Sequence, residues 1–538
     1  MASAVDGHLA TLAGISLSLA AITALRRFIK KQQNNPSFPP GPVPLPLLGN
    51  VLSVDAQEPW LTYTKWGTAY GDLVFVRILG QEMVVVNSEH MIAEALLDKR
   101  SRIYSDRPYL ATLEPYGLSV NFAFIGYGDE WRLCRRLFHQ TFRPESAVKF
   151  RPMQIRRARE IVVNLVDDPQ RYHDHFATFS LSVVMSAVYG YDISARDDPL
   201  VQIVVKALNP SSAVLTPERA LILKTFPFLL RLPDWCWGSS IKRSARASTE
   251  RVNEMADLPF QYVQQHMTDS SFLAQSSMVA ENLRRMETQE EASKPAFENA
   301  LKKAATSAIS ASYETTSAVL MVFVLAMVLY PDVQKRAQAE IDSVVGRERL
   351  PTFEDRVSLP YIGAVVRETF RWQPVSPLGV SHATSSDDVY DGYFIPKAST
   401  QESFIISRIR RNHHVQHMRY PDASRFIPER FIDVNGALTD DDPAQYFFGF
   451  GRRVCPGRYT ADASAWSAIV TMLAALDISS AKDDQGKAIS FTPTFITGLV
   501  RYSTRTSFPL VTNTFVVSAT LLSPLAGFQY GPTFIQTL

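Results

Sequence analysis

The sequence is poor in cysteine, with Cys134, Cys236 and Cys455 as its three copies in 538 residues. Small secreted domains that are stabilised by disulfides carry many more cysteines for their length, usually in even numbers, so a disulfide framework is excluded. The chain also lacks an Asn-x-Ser/Thr glycosylation sequon that is free of proline. Both absences indicate that the bulk of the chain faces a reducing compartment.

An excess of charge of one sign is missing as well. Lys and Arg number 55 against 53 Asp and Glu, which leaves a formal net charge of +2. A protein that holds nucleic acid through its phosphates needs a strong basic field, so we expect no nucleic-acid partner. The hydrophobic share of 46% and the charged share of 20% are ordinary for a globular core.

Residues 9–25 form an uncharged run rich in Leu, Ala and Ile, and four positive charges follow within residues 26–31. As a helix the run would span about 26 Å, close to the thickness of a thin bilayer. Positive charge after the run places the C-terminal side in the cytosol, whereas a cleaved signal carries its charge ahead. The run therefore predicts a single-pass anchor in the endoplasmic reticulum membrane with residues 1–8 lumenal. An interfacial helix is the alternative, because Thr and Ser dilute the run.

Beyond the anchor we predict a basic, proline-rich linker at 26–49 and one large domain at 50–505. Residues 73–79 and 83–86 predict a β-hairpin around 80–82. Helical patterns dominate afterwards, including an apolar helix at 304–330. Glu314 in the middle of that helix makes a membrane span costly, so we expect a core helix. The fold class is mainly α with small β-sheets (α+β).

The strongest chemical signal is residues 448–457, which have the form F-x-x-G-x-R-x-C-x-G. A single Cys in a glycine-rich bend suits one metal–thiolate bond. Gly451 and Gly457 are predicted to adopt positive φ and to let the backbone approach a flat ligand. A helix over 458–473 would favour the thiolate of Cys455 at its N-terminus. The alternative is a structural cysteine in a turn.

The bend resembles that of the cytochrome P450 family, and further segments are similar in the family's order. Glu368-Thr369-Phe370-Arg371 matches E-x-x-R, and Pro428-Glu429-Arg430-Phe431 matches its partner segment. Residues 311–316, Ala-Ser-Tyr-Glu-Thr-Thr, match the oxygen-activating stretch, with Ser312 where the family usually has glycine. Residues 131–135 match W-R-x-x-R. The resemblance implies a cytochrome P450 fold with an N-terminal transmembrane helix.

The resemblance also implies heme b (iron protoporphyrin IX) with Cys455 as the axial thiolate, and a role for each matching residue. Thr315 would handle dioxygen and Glu314 would relay protons; the alternative is that Thr315 and Thr316 bond back to helix carbonyls. Glu368, Arg371 and Arg430 would form a bracing network. The expected haem contacts, in addition to Cys455, are Arg453, Trp131, Arg135, His382 and Phe448. The expected substrate-pocket residues are Phe122, Phe124, Ile309, Val375, Leu378 and Ile496.

These features predict a monooxygenase that inserts one atom of O2 into a hydrophobic small molecule, a secondary metabolite or a xenobiotic. Electrons would come from NADPH-cytochrome P450 reductase, because the chain shows no dinucleotide or flavin fingerprint. Segments 96–100, 104–108 and 137–140 resemble fungal members, notably basidiomycete relatives of O-methylsterigmatocystin oxidoreductases.

Two regions depart from the family pattern, namely 398–420 and the atypical tail at 506–538. They raise the hypothesis of altered splicing or a gene-model error. One alternative function is therefore a haem-binding relative or an aberrantly spliced isoform without monooxygenase turnover. Another alternative is a structural membrane protein without haem. The histidines at 413, 414 and 417 are expected in an exposed basic loop rather than at a metal.

Overall fold

The computed structural model describes residues 37–521, with gaps at 47, 56–57, 79, 89–90, 195–196, 211–213, 216, 270–271, 273–275, 399–404, 409–419, 481–484, 486, 488–493, 496–502 and 505–516. The predicted anchor at 9–25, Ile496, the histidines at 413–417 and the greater part of the tail lie outside the described residues.

Helices form most of the described chain, and proline opens several of them, where its missing N–H is harmless. The longer helices are α1 Pro59–Tyr70, α2 Asp129–Phe142, α3 Arg151–Asp167, α4 Tyr172–Tyr189, α5 Pro199–Leu208, α6 Pro217–Thr225, α7 Ser240–His266, α8 Met278–Glu287, α9 Lys294–Leu329, α10 Pro331–Val344, α11 Pro360–Trp372 and α12 Arg458–Ala475.

Short helical segments connect these elements. The single-turn α-helices are Ser101–Tyr104, Pro144–Ala147 and Ala444–Phe447. A π-helix covers Met91–Lys99. The 3₁₀ turns are Val51–Ser53, Leu118–Val120, Val148–Phe150, Pro169–Arg171, Pro227–Arg231, Glu291–Ser293, Phe353–Ser358, Pro428–Phe431 and Gly451–Arg453.

The strands form small separate sheets. The strands are β1 Leu73–Ile78, β2 Gln81–Val86, β3 Asp388–Tyr390, β4 Tyr393–Ile395, β5 Ile405–Arg408, β6 Leu476–Ser480, β7 Thr494–Phe495, β8 Ser503–Thr504 and β9 Val517–Leu521. β1 and β2 are antiparallel with Leu73 opposite Val86, and β5 joins β2 in parallel. Antiparallel pairs β3–β4, β6–β9 and β7–β8 complete the described sheets. The mainly helical fold with small sheets is confirmed.

Helix α9 is the centre of the fold. From Ala304 onward most of its side chains are buried, and they belong to two large apolar clusters, one around the helix up to Tyr313 and one around it from Ala318. α4, α12, α11 and α2 pack against it. A helix that is apolar on nearly all sides is expected inside a large core, as the sequence predicted.

The observed bounds of the helices and strands differ from the predicted ones where an element ends in polar residues. α9 begins ten residues before the predicted 304, because its first turns carry polar and charged residues that do not extend the apolar run. β1 ends at Ile78 and β2 begins opposite it at Gln81, so Gln81 and Glu82 belong to β2 rather than to the predicted turn at 80–82. β9 lies in the predicted tail and pairs with β6 of the predicted domain.

One described helical segment, Glu291–Leu329, is long enough to cross a membrane, and its most apolar window has a mean hydropathy of 1.7. However, 72% of its most apolar window is buried inside the protein. Length and composition alone do not separate a core helix from a membrane span, so burial against the surrounding helices is the informative observation here.

Candidate active site

The bend that carries Cys455 is built by glycine and by close backbone packing. Gly449 and Gly451 have φ of 83° and 58°. A Cβ at Gly451 would lie 2.0 Å from the carbonyl oxygen of Leu97, so no larger residue fits there. The backbone N–H of Cys455 donates to the carbonyl of Phe448 at 2.8 Å and closes the bend.

The prediction for Gly457 is wrong. Gly457 has φ of −91° and stands as the N-cap of α12, in a backbone conformation open to any residue. A Cβ there would meet the Cε1 atom of Phe138 at 3.9 Å, an ordinary contact. The positive φ that the bend needs is supplied by Gly449 and Gly451 instead, because the chain turns before the cysteine rather than after it.

Cys455 lies where two cavities of about 380 Å³ and about 160 Å³ adjoin. Both cavities are also lined by Arg453, Thr315 and Arg107. The helix α12 that follows Cys455 directs its N-terminus toward this place, so its backbone dipole favours an anion there. The structure thus brings the bend and the middle of α9 to one enclosed space, although they are far apart in sequence.

Arg453 carries an unused hydrogen-bond donor in this space. Its Nε donates to the carbonyl of Ser105 at 2.8 Å and its Nη2 donates to the carbonyl of Ile125 at 3.0 Å. Its Nη1 is buried without a hydrogen-bond partner among the described residues. Burial lowers the pKa of Arg453 to about 10, with Asp106 opposing the shift. A buried guanidinium with a spare N–H is a site for a carboxylate.

Arg135 and Arg107 add positive charge beside Arg453. Burial lowers the pKa of Arg135 to about 10, and the nearby thiol group of Cys455 opposes that shift. Burial and then the neighbouring Arg453 hold the pKa of Arg107 well below its usual value. Arg107 donates from Nη1 to the carbonyl of Ser381 at 2.6 Å and lines both cavities. A cluster of buried positive charges is stable only when an anion is bound beside it.

Sequence reasoning missed Arg107 as a site residue. In the sequence, segment 104–108 indicates only the family resemblance, and the one local signal at Arg107 is the acid that precedes it, Asp106. The cavity walls contributed by α5 and α7, at Leu208, Val252 and Met255, gave no such signal. In the sequence those residues are ordinary apolar positions on amphipathic helices, and only the tertiary fold brings them to the cavity wall.

The remaining predicted haem contacts also line this space. Trp131 is buried, lines the smaller cavity and lies under the Arg453 guanidinium, 4.3 Å from ring centroid to carbon. His382 lines the larger cavity, and its Nδ1 is 2.8 Å from the carbonyl of Tyr104. Phe448 lines the larger cavity and packs edge-on against Phe370.

The predicted oxygen-handling segment faces the cavities from an unbroken stretch of α9. Thr315 lines both cavities, and its Oγ1 donates to the carbonyl of Ala311 at 2.7 Å. For Thr315, the hydrogen bond back to its own helix and the position at the cavity wall are therefore both observed. Ser312, in the place of the usual glycine, folds its hydroxyl back to the carbonyl of Ile309 at 3.0 Å. Its own carbonyl accepts from Ser180 Oγ on α4.

Glu314 is the titratable group of this segment. It lines the larger cavity, and burial raises its pKa to about 7, against a smaller opposing effect of His173. A carboxyl group that is half ionised near neutral pH can both give and take a proton. The structure therefore places a titratable carboxyl group and a threonine hydroxyl, from successive residues of α9, in the lining of the larger cavity.

The predicted network of Glu368, Arg371 and Arg430 lies together behind the bend. Arg371 donates from Nε and Nη2 to the two carboxylate oxygens of Glu368 at 2.6 and 2.8 Å, and both residues are fully buried. Arg430 donates from Nε to Glu368 at 3.2 Å. Arg371 also donates to the carbonyl of Ala423 at 2.9 Å, which fastens α11 to the segment that precedes the bend.

The predicted pocket residues divide into three groups. Phe124, Val375 and Leu378 line the larger cavity, and Phe122 lines the smaller one. Ile309 is fully buried in an apolar cluster and is absent from the described lining of both cavities, so it is a core residue rather than a pocket residue. Its neighbours Ala308 and Ala311 line the smaller cavity instead.

The residues present fit a haem. The cavities offer the thiol of Cys455, apolar walls at Phe448 and Ala461, and the spare donor of Arg453 with Arg135 beside it. Iron protoporphyrin needs an axial ligand, apolar faces and cationic partners for its two propionates. This space supplies each of them.

Comparisons with known proteins agree with the geometry. The sequence profile of the family described as Cytochrome P450 matches residues 39–506. Cytochrome P450 monooxygenase COX2 of Coprinopsis cinerea is 35% identical over 486 residues, 90% of this chain and 89% of the relative. Cytochrome P450 monooxygenase claR of Ampulloclitocybe clavipes is 34% identical over 92% of this chain and 89% of the relative. Cytochrome P450 monooxygenase 176 of Postia placenta is 34% identical over 88% and 90%.

Proposed function

Since the chain belongs to the cytochrome P450 family and is a haem-thiolate monooxygenase, we propose that Cys455 is the axial ligand of its haem b and that the larger cavity holds the substrate. The spare Nη1 donor of Arg453, buried next to the cysteine bend, is the observation that carries this assignment. When bound, the haem supplies the activation of O2 and the transfer of one oxygen atom to carbon.

The groups around Cys455 favour negative charge at its sulfur. The dipole of α12 favours negative charge at its N-terminus, and Arg135 contributes positive charge nearby. The hydrogen bond from the Cys455 N–H to Phe448 fixes the bend. Arg453, Arg135, Trp131 and His382 are proposed to hold the propionates, with Arg107 as an additional cation.

Glu314 and Thr315 are proposed to manage protons at the cavity wall. The Thr315 hydrogen is committed to the Ala311 carbonyl, so the hydroxyl oxygen faces the cavity as a hydrogen-bond acceptor. Glu314, with its pKa near 7, can pass protons from the surrounding solvent into the same space. Threonine then orients a proton donor, and the carboxyl group replaces the proton that has been used.

The substrate is proposed to be a hydrophobic small molecule, a secondary metabolite or a xenobiotic. The walls of the larger cavity are mostly apolar, with Phe124, Val375, Leu378 and Leu118 among them. An apolar cavity with a few polar groups orients an apolar ligand through shape and limited hydrogen bonding. The relatives compared above come from fungi, which supports a fungal member of the family.

The electron donor is proposed to be NADPH-cytochrome P450 reductase. Two exposed cations lie over the Tyr127 ring, Arg452 in the cysteine bend and Arg132 on α2. Arg136 is a further exposed cation on α2. An acidic face of a flavoprotein would be attracted to this surface and would approach the thiolate side of the site.

Attachment to the endoplasmic reticulum membrane through residues 9–25 is part of the same proposal, with the catalytic domain cytosolic. The hydropathy of that run and the charges after it support the topology. In the described domain, Trp235 and Trp237 are 85% and 100% exposed in the turn before α7. Tryptophan is favoured at a membrane–water interface, so these rings support contact of the domain with lipid.

The full chain in yeast microsomes with added reductase tests this function. We expect consumption of NADPH and O2 that is stimulated by an apolar substrate from a panel and coupled to an oxygenated product. Haem binding without stimulated consumption or product would favour the alternative of a haem-binding relative, for which Ser312 in place of glycine is the motivating observation.

A further inference from the structure

A buried serine of α9 joins that helix to the loop that forms one wall of the cavities. Ser307 is 3% exposed. Its Oγ donates to the carbonyl of Lys303 at 2.6 Å, within its own helix. The same oxygen accepts the backbone N–H of Phe122 at 2.9 Å. The Ser307 hydroxyl therefore donates one hydrogen bond and accepts another. The accepted bond joins residues that are 185 positions apart in the sequence.

The loop in question, residues 118–125, is part of the cavity wall. Asn121, Ala123 and Phe124 line the larger cavity, and Phe122 lines the smaller one. The Phe122 ring packs on Phe138 of α2, with centroids 5.8 Å apart. Its backbone is held by Ser307, so the residue is clamped between α2 and α9 at the centre of the loop.

We propose that Ser307 is a specificity-determining positioning residue, which sets the distance of the 118–125 loop from α9 and hence the width of the substrate cavity. The proposal rests on the assignment of the cavity as the substrate site. The physical reason is that a buried N–H without an acceptor is unfavourable, so the loop must move toward water or another acceptor when the hydroxyl is lost.

This role differs from that of Ser317, another buried serine on the helix. Ser317 Oγ bonds to the carbonyls of Tyr313 and Glu314 of its own helix, at 2.9 and 3.1 Å. It is buried like Ser307 but lies outside the described lining of both cavities. Ser317→Ala is therefore a matched control that removes a buried helix hydroxyl without releasing the loop.

Hydrogen exchange tests the contact independently of turnover. In Ser307→Ala of the full chain, we expect amide exchange in the peptide covering residues 118–125 to accelerate by about tenfold or more, because the Phe122 amide loses its buried acceptor. Ser307→Thr keeps a hydroxyl on the helix and should restore protection. Unchanged exchange in Ser307→Ala, or an equal change in Ser317→Ala, would overturn the proposal.

Ligand binding and product pattern test the consequence for the cavity. With 1-phenylimidazole as the probe, the dissociation constant measured from the Soret shift should rise about 3- to 10-fold in Ser307→Ala and recover in Ser307→Thr. For any substrate turned over by the wild type, KM and the ratio of oxygenated isomers should change more than kcat. If hydrogen exchange shows that the loop is released but the dissociation constant and the isomer ratio are unchanged, the positioning role is refuted.

Failure of the proposed function and failure of the Ser307 proposal give different results. If the wild type forms no carbon monoxide complex, the proposed function fails, whereas the exchange experiment still reports on the Ser307 contact. If the wild type binds haem and turns over, and Ser307→Ala behaves like it in exchange and binding, only the positioning role fails.

Discussion

Glu314 gives the most direct quantitative test of the cavity. Burial raises the pKa of its carboxyl group from 4.5 to about 7. Because the pKa is higher in the folded than in the unfolded chain, this group contributes its full stability below about pH 4.5 and loses it as the pH rises through about 7. The ionised form is the disfavoured one, since it is desolvated in the cavity wall.

The change to measure is Glu314→Gln, which keeps the shape and removes the charge. From the two pKa values, the wild type should lose roughly 2–3 kcal/mol of unfolding free energy relative to the variant between about pH 5 and about pH 8. Urea unfolding followed by fluorescence at several pH values gives the difference, and other titrating groups cancel because both proteins share them. The variant should be the more stable protein at the alkaline end.

Turnover supplies the second half of this test. If Glu314 carries protons, Glu314→Gln should lower the rate of product formation about 10²-fold and remove a titration near pH 7 from the rate profile. Glu298→Gln, on the same helix and outside the described cavity lining, is the control expected to retain turnover. A stability difference that is flat with pH would refute the buried, raised-pKa carboxyl, and an unaltered rate profile would refute the relay.

Other predictions follow from the same site. Cys455→Ala should abolish the red-shifted Soret band of the reduced carbon monoxide complex, and a surviving band would disprove the ligand assignment. Thr315→Ala should divert electrons to peroxide at the expense of product, as measured by peroxide formed per NADPH, and unchanged coupling would count against its role. Glu368→Gln leaves the buried Arg371 without its anion, so unfolding free energy should fall by about 3–5 kcal/mol; a loss below 1 kcal/mol would contradict the bracing role.

The sequence by itself determined the elements and the chemistry that depend on local order. The apolar run after Ala304 was expected to form a core helix that ends at residue 330, and it does so within one residue. The spacing from Phe448 to Gly457 identified a bend with one cysteine, and Glu368 with Arg371 at i, i+3 share a helix face. These features follow from periodicity and backbone stereochemistry, which act over a few residues.

Only the tertiary structure decided which side chains share a space, since that depends on packing between distant segments. It placed Ile309 in the core and Ala311 at the cavity, although the two lie within one turn of the same helix. It brought Arg107 to Arg453, left Gly457 with an ordinary backbone, and set the Phe122 amide on Ser307. The surroundings of a side chain, and the buried donors with which it forms hydrogen bonds, are determined by the residues that pack against it in space.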